Sequence, residues 1–308
     1  MRSKAIGVTM TVGCLLAVTR PANSAAYTFT TIDVPGAIYT EARGINDAGQ
    51  IVGRFESTRG FQGFLDTGGS LNLINVPGAS NTSAWSINSA GQVVGFYNGS
   101  AVDGFLYAAG TFTNIEVPGA VGNTTAMGIN DAGQIVGGFY NGSFHGFLDT
   151  AGSFTTIDVP GASFTQAYGI NDAGQIVGVF SSATGGGGFL DTAGSFTTIN
   201  VPGAGGGTSA NGINNLGQIV GSFVAPDGTT HGFLYSDGSF TTIDVPGGLS
   251  TEVNGINDAG QIVGNTEIVA PLDGFLGMPV SAMPEPSSLV LFSIGLIGLC
   301  IIRHRNRA

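Results

Sequence analysis

The stretch Gly44-Ile45-Asn46-Asp47-Ala48-Gly49-Gln50-Ile51-Val52-Gly53 decides the fold, because close copies of it return along most of the chain. The six copies occupy residues 44–53, 86–95, 128–137, 169–178, 212–221 and 255–264. Their starts are separated by 42, 42, 41, 43 and 43 residues. A fixed period in this range is typical of propellers, solenoids and other repeat arrays.

Each repeat is predicted to contain four short strands, which we call A, B, C and D. In the fourth repeat they cover residues 166–171, 175–180, 188–191 and 196–201. Strand D alternates apolar and polar residues: in the preceding copy Ile157 and Val159 share one face, and Thr156 and Asp158 share the other, as in a half-buried strand. Strands B and C are short apolar runs bounded by glycine, and none of the four pieces is long enough for a helix.

The connections between these pieces carry the residues that tight turns require. Residues 130–134, Asn-Asp-Ala-Gly-Gln, predict a type I turn that closes with a glycine bulge between A and B. Residues 149–153, Asp-Thr-Ala-Gly-Ser, predict the same turn between C and D. The sequence Val-Pro-Gly-Ala after strand D predicts a type II turn.

Six copies of four antiparallel strands predict an all-β fold, a six-bladed β-propeller spanning residues 27–280. A lone D strand, residues 27–34, comes first, and the last repeat has no D strand of its own. The first strand is therefore expected to complete the last blade, with Ile32 near Phe275, and to remove the open sheet edges. A right-handed β-solenoid is the alternative architecture, but it requires capping ends and no cap is visible.

Composition excludes one class of partner. Residues 27–280 contain three arginines, no lysine and 19 acidic residues, a net charge of −16. Such a surface repels phosphate backbones, so nucleic-acid binding is not expected. A solvated acidic surface is one interpretation of this charge, and weak binding of divalent cations is the other.

The two ends of the chain are predicted to carry targeting signals. Residues 1–26 have a basic start, an apolar core and a small-residue cleavage zone, as in a secretory signal peptide. Residues 281–308 contain the motif Pro284-Glu285-Pro286, the apolar run 289–302 and an arginine-rich end, which predict a C-terminal transmembrane helix. Both cysteines, Cys14 and Cys300, lie in these segments, so a Cys-ligated metal site is excluded from residues 27–280.

The tail resembles the PEP-CTERM sorting signal of Gram-negative bacteria, because Pro-Glu-Pro, an apolar segment and an arginine-rich end follow in order at the terminus. The resemblance implies a bacterial protein that is inserted transiently into the inner membrane. It also implies an exosortase-type enzyme that removes the tail, in organisms that make exopolysaccharide. The protein would then lie at the cell surface or outside the cell.

The repeat is similar to the HAF repeat of bacterial extracellular proteins, in which Gly-Ile-Asn-x-x-Gly-x-x-Val-Gly precedes His-Ala-Phe-Leu. Here His145 and His231 begin the second part of the pattern, with glycine in place of alanine. The other copies have Gln62, Asp103, Gly187 and Asp273 instead of histidine. The resemblance covers residues 27–278 and implies an extracellular repeat protein, but no reaction.

Variation between the repeats points to a candidate binding site. The A–B and C–D turns hardly change, whereas the B–C and D–A loops, which share the other face of a propeller, differ freely. One position in strand A also varies among constant neighbours: Arg43, Trp85, Met127, Tyr168, Asn211 and Asn254. We expect these six residues to form a ring near the channel mouth, where they either hold a sugar or an anionic group or fill the gaps between blades.

Three functions remain open from the sequence. The first is an exported, non-catalytic propeller that binds polysaccharide or a matrix protein. The second is a glycan hydrolase or lyase that uses carboxylates at the channel mouth, where Glu41 and Glu252 are the candidates. The third is a structural surface or biofilm component without a specific ligand. We favour the first and expect no catalytic residue, cofactor or resident metal.

Overall fold

A computed structural model describes residues 27–267 and 272–280, and every regular element in them is a β-strand. The first strand is β1 (Tyr27–Ile32). The first repeat contains β2 (Tyr39–Ile45), β3 (Gln50–Ser57), β4 (Gly60–Thr67) and β5 (Ser70–Ile74), and the second contains β6 (Asn81–Ile87), β7 (Val93–Asn98), β8 (Val102–Ala108) and β9 (Thr111–Ile115). The third contains β10 (Thr124–Ile129), β11 (Ile135–Tyr140), β12 (Phe144–Thr150) and β13 (Ser153–Ile157), and the fourth contains β14 (Phe164–Ile170), β15 (Gln175–Ser182), β16 (Gly185–Thr192) and β17 (Ser195–Ile199). The fifth contains β18 (Thr208–Ile213), β19 (Ile219–Val224), β20 (Thr230–Ser236) and β21 (Ser239–Ile243), and the sixth contains β22 (Ser250–Ile256), β23 (Ile262–Glu267) and β24 (Leu272–Pro279). The all-β, repeating propeller architecture predicted from the sequence is confirmed.

The prediction of six separate four-stranded blades is wrong. The strands form four discrete four-stranded blades and one eight-stranded sheet, which contains the third and fourth repeats. A parallel pairing of Phe144 in β12 with Phe164 in β14 joins these two repeats, and the two rings lie 5.5 Å apart between centroids. The corresponding contact between the second and third repeats is only an isolated bridge between Val102 and Asn123. Residues at strand ends that do not repeat therefore decide which neighbouring sheets merge.

The predicted C-terminal transmembrane helix does not belong to the fold. No helix in residues 27–267 or 272–280 is long and apolar enough to cross a bilayer. The segment in which the sequence placed that helix, residues 281–308 with Pro284, Glu285 and Pro286, lies outside the described residues, as does the predicted signal peptide, residues 1–26.

The first strand of the described chain joins the last. Strand β1 pairs antiparallel with β24, from Tyr27 opposite Pro279 to Ile32 opposite Gly274. Ile32 and Val34 also pack into one core cluster with Phe64 of the first repeat and Val263 of the sixth. The two ends of the repeat array are thus joined by backbone pairing and by a shared core.

The turns follow the glycine chemistry of the sequence, with one correction. At the A–B turn Gly49 has φ of 75° and its N–H donates to Asn46 O at 3.0 Å, which confirms the glycine bulge. After strand D, Gly36 has φ of 81° and Ala37 N donates to Val34 O at 2.9 Å, as in a type II turn. The C–D connection is instead a two-residue type I′ turn, because Ala151 and Gly152 both have positive φ, 52° and 86°.

One phenylalanine in each repeat lies at the centre of the core. These residues, from the Gly-Phe-Leu motif of strand C, are 0–1% exposed: Phe64, Phe105, Phe147, Phe189, Phe233 and Phe275. The clusters around them combine neighbouring repeats; Phe147, for example, shares a cluster with Val94 and Ile115 of the preceding repeat. A repeat therefore cannot bury its apolar residues alone, and its stability depends on its neighbours.

A closed ring of buried asparagines joins the repeats around the axis. In the third repeat Asn130 Nδ2 donates to Asn171 O of the next repeat at 3.1 Å and to Gln134 Oε1 at 2.9 Å. The ring consists of Asn46, Asn88, Asn130, Asn171, Asn214 and Asn257, and the last of these donates back to Asn46 O at 3.0 Å. The asparagine of the repeated motif thus has a structural role in every copy.

Candidate functional site

A β-bulge in each A strand turns one side chain toward the axis. The pairing of β2 with β3 shifts register between Ala42 and Gly44, so Arg43 has no partner opposite it. The other five A strands shift at the same place, and the six bulged residues are Arg43, Trp85, Met127, Tyr168, Asn211 and Asn254. They line one axial cavity of about 110 Å³. Bulges commonly redirect side chains at binding sites, and here they bring together the six residues predicted as a ring.

Glycine after the bulge lets neighbouring A strands approach closely. A Cβ atom on Gly44 would lie 2.8 Å from the carbonyl oxygen of Trp85 and 2.9 Å from Cα of Ser86, in the next repeat. Glycine follows the bulge in five of the six repeats, and Ser86 takes its place in the second. The backbone of each repeat thus lies against the next, which brings the bulged side chains near one another.

Arg43 is held in a fixed position by its neighbours. Its guanidinium carbon lies 4.3 Å from the ring centroid of Trp85, and Nε donates to Glu41 Oε2 at 3.0 Å, with Nη2 donating to the same oxygen. Arg54 donates to both oxygens of Glu41, at 2.8 and 3.0 Å. Two arginines around one carboxylate give this cluster of three side chains a net positive charge, although the protein as a whole is acidic.

The carboxyl group of Glu41 is buried and fully engaged. Burial alone raises the pKa of Glu41, but the charge of Arg43 and the hydrogen bonds from Arg54 outweigh it, so the pKa lies below its ordinary value. Glu41 is 5% exposed. Glu41 is therefore ionised at neutral pH and positions Arg43. An ionised carboxylate cannot act as a proton donor.

The free energy of unfolding should depend on pH because of the interaction of Glu41 with the two arginines. A carboxyl group whose pKa is lower in the folded state stabilises the fold above its ordinary pKa, and this contribution disappears as pH falls through the folded-state pKa. We expect Glu41→Gln to lose about 1–3 kcal/mol in the free energy of unfolding at pH 7. The difference from the wild type should shrink below about pH 4, near the ordinary pKa of a glutamate.

Denaturant unfolding between pH 3 and pH 7 measures this difference, and Glu116→Gln is the control. Glu116 is exposed and forms no salt bridge within the described residues. A pH-independent loss in Glu41→Gln would contradict the role of the two arginines.

The other bulged residues divide into two groups. Tyr168 is half-buried and its hydroxyl lies 3.4 Å from Gln166 Oε1, while Gln166 Nε2 lies 3.4 Å from Sδ of Met127. Burial raises the pKa of Tyr168, against the opposing charge of Arg43, so the phenol stays neutral at physiological pH. Met127 itself is buried, 6% exposed.

Asn211 and Asn254 hold adjacent repeats together. Asn211 Nδ2 donates to Val253 O at 2.9 Å, and Asn254 Nδ2 donates to Ala42 O at 2.9 Å and to Asn265 Oδ1 at 3.0 Å. The interpretation that this ring fills the gaps between blades therefore describes these two residues, whereas Arg43, Trp85 and Tyr168 form the wall that resembles a ligand site.

The axial cavity opens beside this wall into a wider part of about 300 Å³, and five of the six bulged residues line both parts. The lining of the wider part consists of Arg43, Trp85, Tyr168, Ser209, Asn211, Ser222, Glu252 and Asn254. Two aromatic rings, three hydroxyl groups, two carboxamides and two opposite charges fit a ligand rich in hydroxyl groups. Glu252 accepts a hydrogen bond from Asn265 Nδ2 at 3.3 Å, and it was predicted only as a catalytic candidate.

The other mouth of the channel is acidic. Asp131, Asp172 and Asp258 each accept a backbone N–H of the preceding repeat at 2.7–2.8 Å, and Asn215 Nδ2 donates to both Asp172 and Asp258. The carboxylates are thus engaged in turns, and the described part of the chain contains no group of three or more metal-ligating side chains.

Each of the two histidines, His145 and His231, pairs with an aspartate in its own sheet, and the two pairs occupy equivalent positions. His145 Nδ1 contacts Asp158 at 2.9 Å, and His231 Nδ1 contacts Asp244 at 2.8 Å. Each ring packs against a phenylalanine of the adjacent strand, Phe139 or Phe223. The structure does not bring either histidine into the axial cavity.

Comparison with solved structures finds chains of similar fold at low sequence identity. AofleA from Arthrobotrys oligospora is 12% identical, with 84% of this chain and 91% of that chain covered and a TM-score of 0.50. XC5397 from Xanthomonas campestris, a gluconolactonase, is 12% identical over 86% and 100% of the two chains, with a TM-score of 0.47. A lectin from Aleuria aurantia in complex with Fucα1-6GlcNAc is 11% identical over 79% and 97%, with a TM-score of 0.42.

At 12% identity, the likeness to AofleA concerns the fold alone, and one fold can support many activities. The structures found include enzymes as well as lectins. No protein-family model matches the chain. No curated protein matches it either.

Proposed function

We propose that the protein is an exported, non-catalytic propeller that binds a polysaccharide outside the cell through the axial cavity. The observation that carries this proposal is the Arg43–Trp85–Tyr168 wall. Its guanidinium is fixed by Glu41 and by the indole ring at 4.3 Å, so little side-chain freedom is lost when a ligand binds. Nε and Nη2 of Arg43 bind Glu41, and Nη1 has no acceptor within the described residues, so it is free to donate to a sugar hydroxyl.

The location of the protein is the second part of the proposal. The basic and apolar start of residues 1–26 and the Pro284-Glu285-Pro286 motif support export, followed by sorting through an exosortase-type enzyme. A polysaccharide or a protein of the extracellular matrix is the partner that this location would supply.

The alternative function, a glycan hydrolase or lyase, requires two available carboxyl groups at the channel mouth. Glu41 is engaged by two arginines and its pKa is low, which argues against it as the acid. Glu252 lines the cavity and is the remaining candidate. Turnover of a bound oligosaccharide that disappears in Glu252→Gln would support the enzyme.

A glycan array followed by titration calorimetry on the full-length protein tests the proposed function. We expect Arg43→Gln to weaken saccharide binding about 10- to 100-fold, because a charged donor is lost from a partly buried site. Arg59→Gln is the matched control, since Arg59 is an exposed loop arginine outside the cavity. Thermal unfolding of both variants checks that the fold is intact. Equal binding by the two variants, or no saccharide binding by the wild type, would contradict the proposal.

A further inference from the structure

A second cavity adjoins the axial cavity on the face that carries the B–C and D–A loops. This groove of about 740 Å³ runs between the fourth and fifth repeats, along the loops that precede β18 and follow β15. Ser209, Ser222 and Glu252 line both the groove and the axial cavity, so the two form one continuous concave surface. A ligand bound at the axis therefore has a path outward. A polysaccharide chain would use this path, whereas a single sugar residue would not need it.

The groove combines aromatic side chains with an open backbone floor. Phe164, Phe180 and Phe223 are half-buried in its walls, and Thr230 and Ser181 add hydroxyl groups. Five glycines also line it: Gly186, Gly187, Gly205, Gly206 and Gly207. Aromatic rings offer flat apolar faces for sugar rings, and glycine lets a ligand approach the backbone closely.

Charge in the groove is of one sign. Glu252 is its only charged lining residue, and it lies where the groove meets the axial cavity. All three arginines of residues 27–280 belong to the first repeat, whereas 19 carboxylates are spread over the whole domain. The local carboxylate and the long-range field both favour a cationic ligand and disfavour a chain of uronic acids. The aromatic walls add cation–π attraction for an ammonium group.

Resting on the proposed function, we propose that the ligand is a polysaccharide chain containing amino sugars with free amino groups. One end occupies the axial cavity, and the following residues lie in the groove with an ammonium group against Glu252. The binding site is therefore extended, and it discriminates between free and acetylated amino groups.

Titration of the full-length protein with β-linked glucosamine dimers and hexamers, their N-acetylated forms and galacturonate hexamers tests this inference. We expect affinity to increase at least tenfold from the glucosamine dimer to the hexamer, and the free hexamer to bind at least tenfold better than the acetylated one. Glu252→Gln should remove the preference for free amino groups, whereas Glu267→Gln, a carboxylate outside the groove, should retain it. Phe180→Ala should weaken hexamer binding more than dimer binding.

The outcomes separate this inference from the proposed function. Equal affinity for dimer and hexamer, or a preference for acetylated or galacturonate chains, overturns the extended amino-sugar site. In that case, saccharide binding that is lost in Arg43→Gln still supports binding at the axial cavity. Binding of none of these saccharides, or of any on the array, overturns both. A preference for free amino groups that persists in Glu252→Gln overturns the role of that carboxylate.

Discussion

Gly137→Ala is expected to destabilise the protein by about 3 kcal/mol or more, because two rigid groups already occupy the space around its Cα. A Cβ atom there would lie well inside van der Waals contact of Thr125 O in the paired strand, and 2.9 Å from Cε1 of Phe147. Phe147 is fully buried and the Thr125 carbonyl belongs to strand β10, so neither can move freely. Gly137 closes the third copy of the repeated motif, and the glycines closing the other copies have the same surroundings.

Denaturant unfolding measures this effect, with Gly207→Ala as the matched control. Gly207 has no atom within 4 Å of an added Cβ and no positive φ, so its replacement should change the free energy of unfolding by less than about 0.5 kcal/mol. Equal stability of the two variants would mean that the close packing of strands A, B and C differs from the structure described.

Asn130→Asp is expected to destabilise the protein by about 3–5 kcal/mol at neutral pH. The carboxamide is 3% exposed, and its nitrogen donates to Asn171 O and Gln134 Oε1. A carboxylate in its place would keep the hydrogen bond from Gln134 N, but its second oxygen would face two acceptors away from water. Burial would raise the pKa of the new carboxyl group, so the loss should be complete above that raised pKa. It should diminish as pH falls from there toward the ordinary aspartate pKa of about 4, where it should be smallest.

Thermal or denaturant unfolding of Asn130→Asp at pH 7 and pH 4 checks both the magnitude and its pH dependence. Asn141→Asp makes the same chemical change in an exposed turn and should have little effect at either pH. If Asn130→Asp were as stable as Asn141→Asp, the asparagine ring would not join the repeats.

The features that repeat could be predicted from the sequence. A constant period gave the repeated four-strand unit, and glycine positions gave the A–B turn and the type II turn. The missing D strand of the last repeat indicated that residues 27–34 pair with β24, as observed from Tyr27 to Ile32. The C–D turn was assigned to the wrong type because a type I′ turn usually has asparagine or glycine at its first position, whereas Ala151 occupies it here.

The features that arise between repeats could not be predicted. The contact of Phe144 with Phe164 merges two sheets, and it depends on the lengths and positions of two loops in space. The six variable residues of strand A were recognised, but not that they are bulged, because a bulge is a matter of register between strands. Which of the six residues fill gaps between repeats and which line the ligand wall also depends on contacts in space. Asn254 donates a hydrogen bond to the backbone of Ala42, whereas Arg43 packs on the ring of Trp85.

The groove was missed for the same reason. Phe164, Phe180 and Phe223 are far apart in sequence and occupy strand ends that the repeat pattern does not mark. The only available signal was the sequence variation of the B–C and D–A loops between repeats. It indicated the correct face of the propeller but no particular residue. Arg54, one of only three arginines between residues 27 and 280, was also visible without an assigned role.

The central claim is that the repeats surround an axis and that β1 closes them on β24, because the axial cavity and the groove both depend on it. Disulfide formation between Thr28→Cys and Met278→Cys tests this most directly, in a chain whose native Cys14 and Cys300 are replaced by serine. Thr28 and Met278 are exposed and face each other in the antiparallel pair, where Cα atoms lie about 4.5–5.5 Å apart, within disulfide range. We predict an intramolecular disulfide in the oxidised monomer, and none when Thr28→Cys is combined with Ser195→Cys on a distant repeat. Free thiols or only intermolecular disulfides in the Thr28–Met278 pair would contradict the closed propeller.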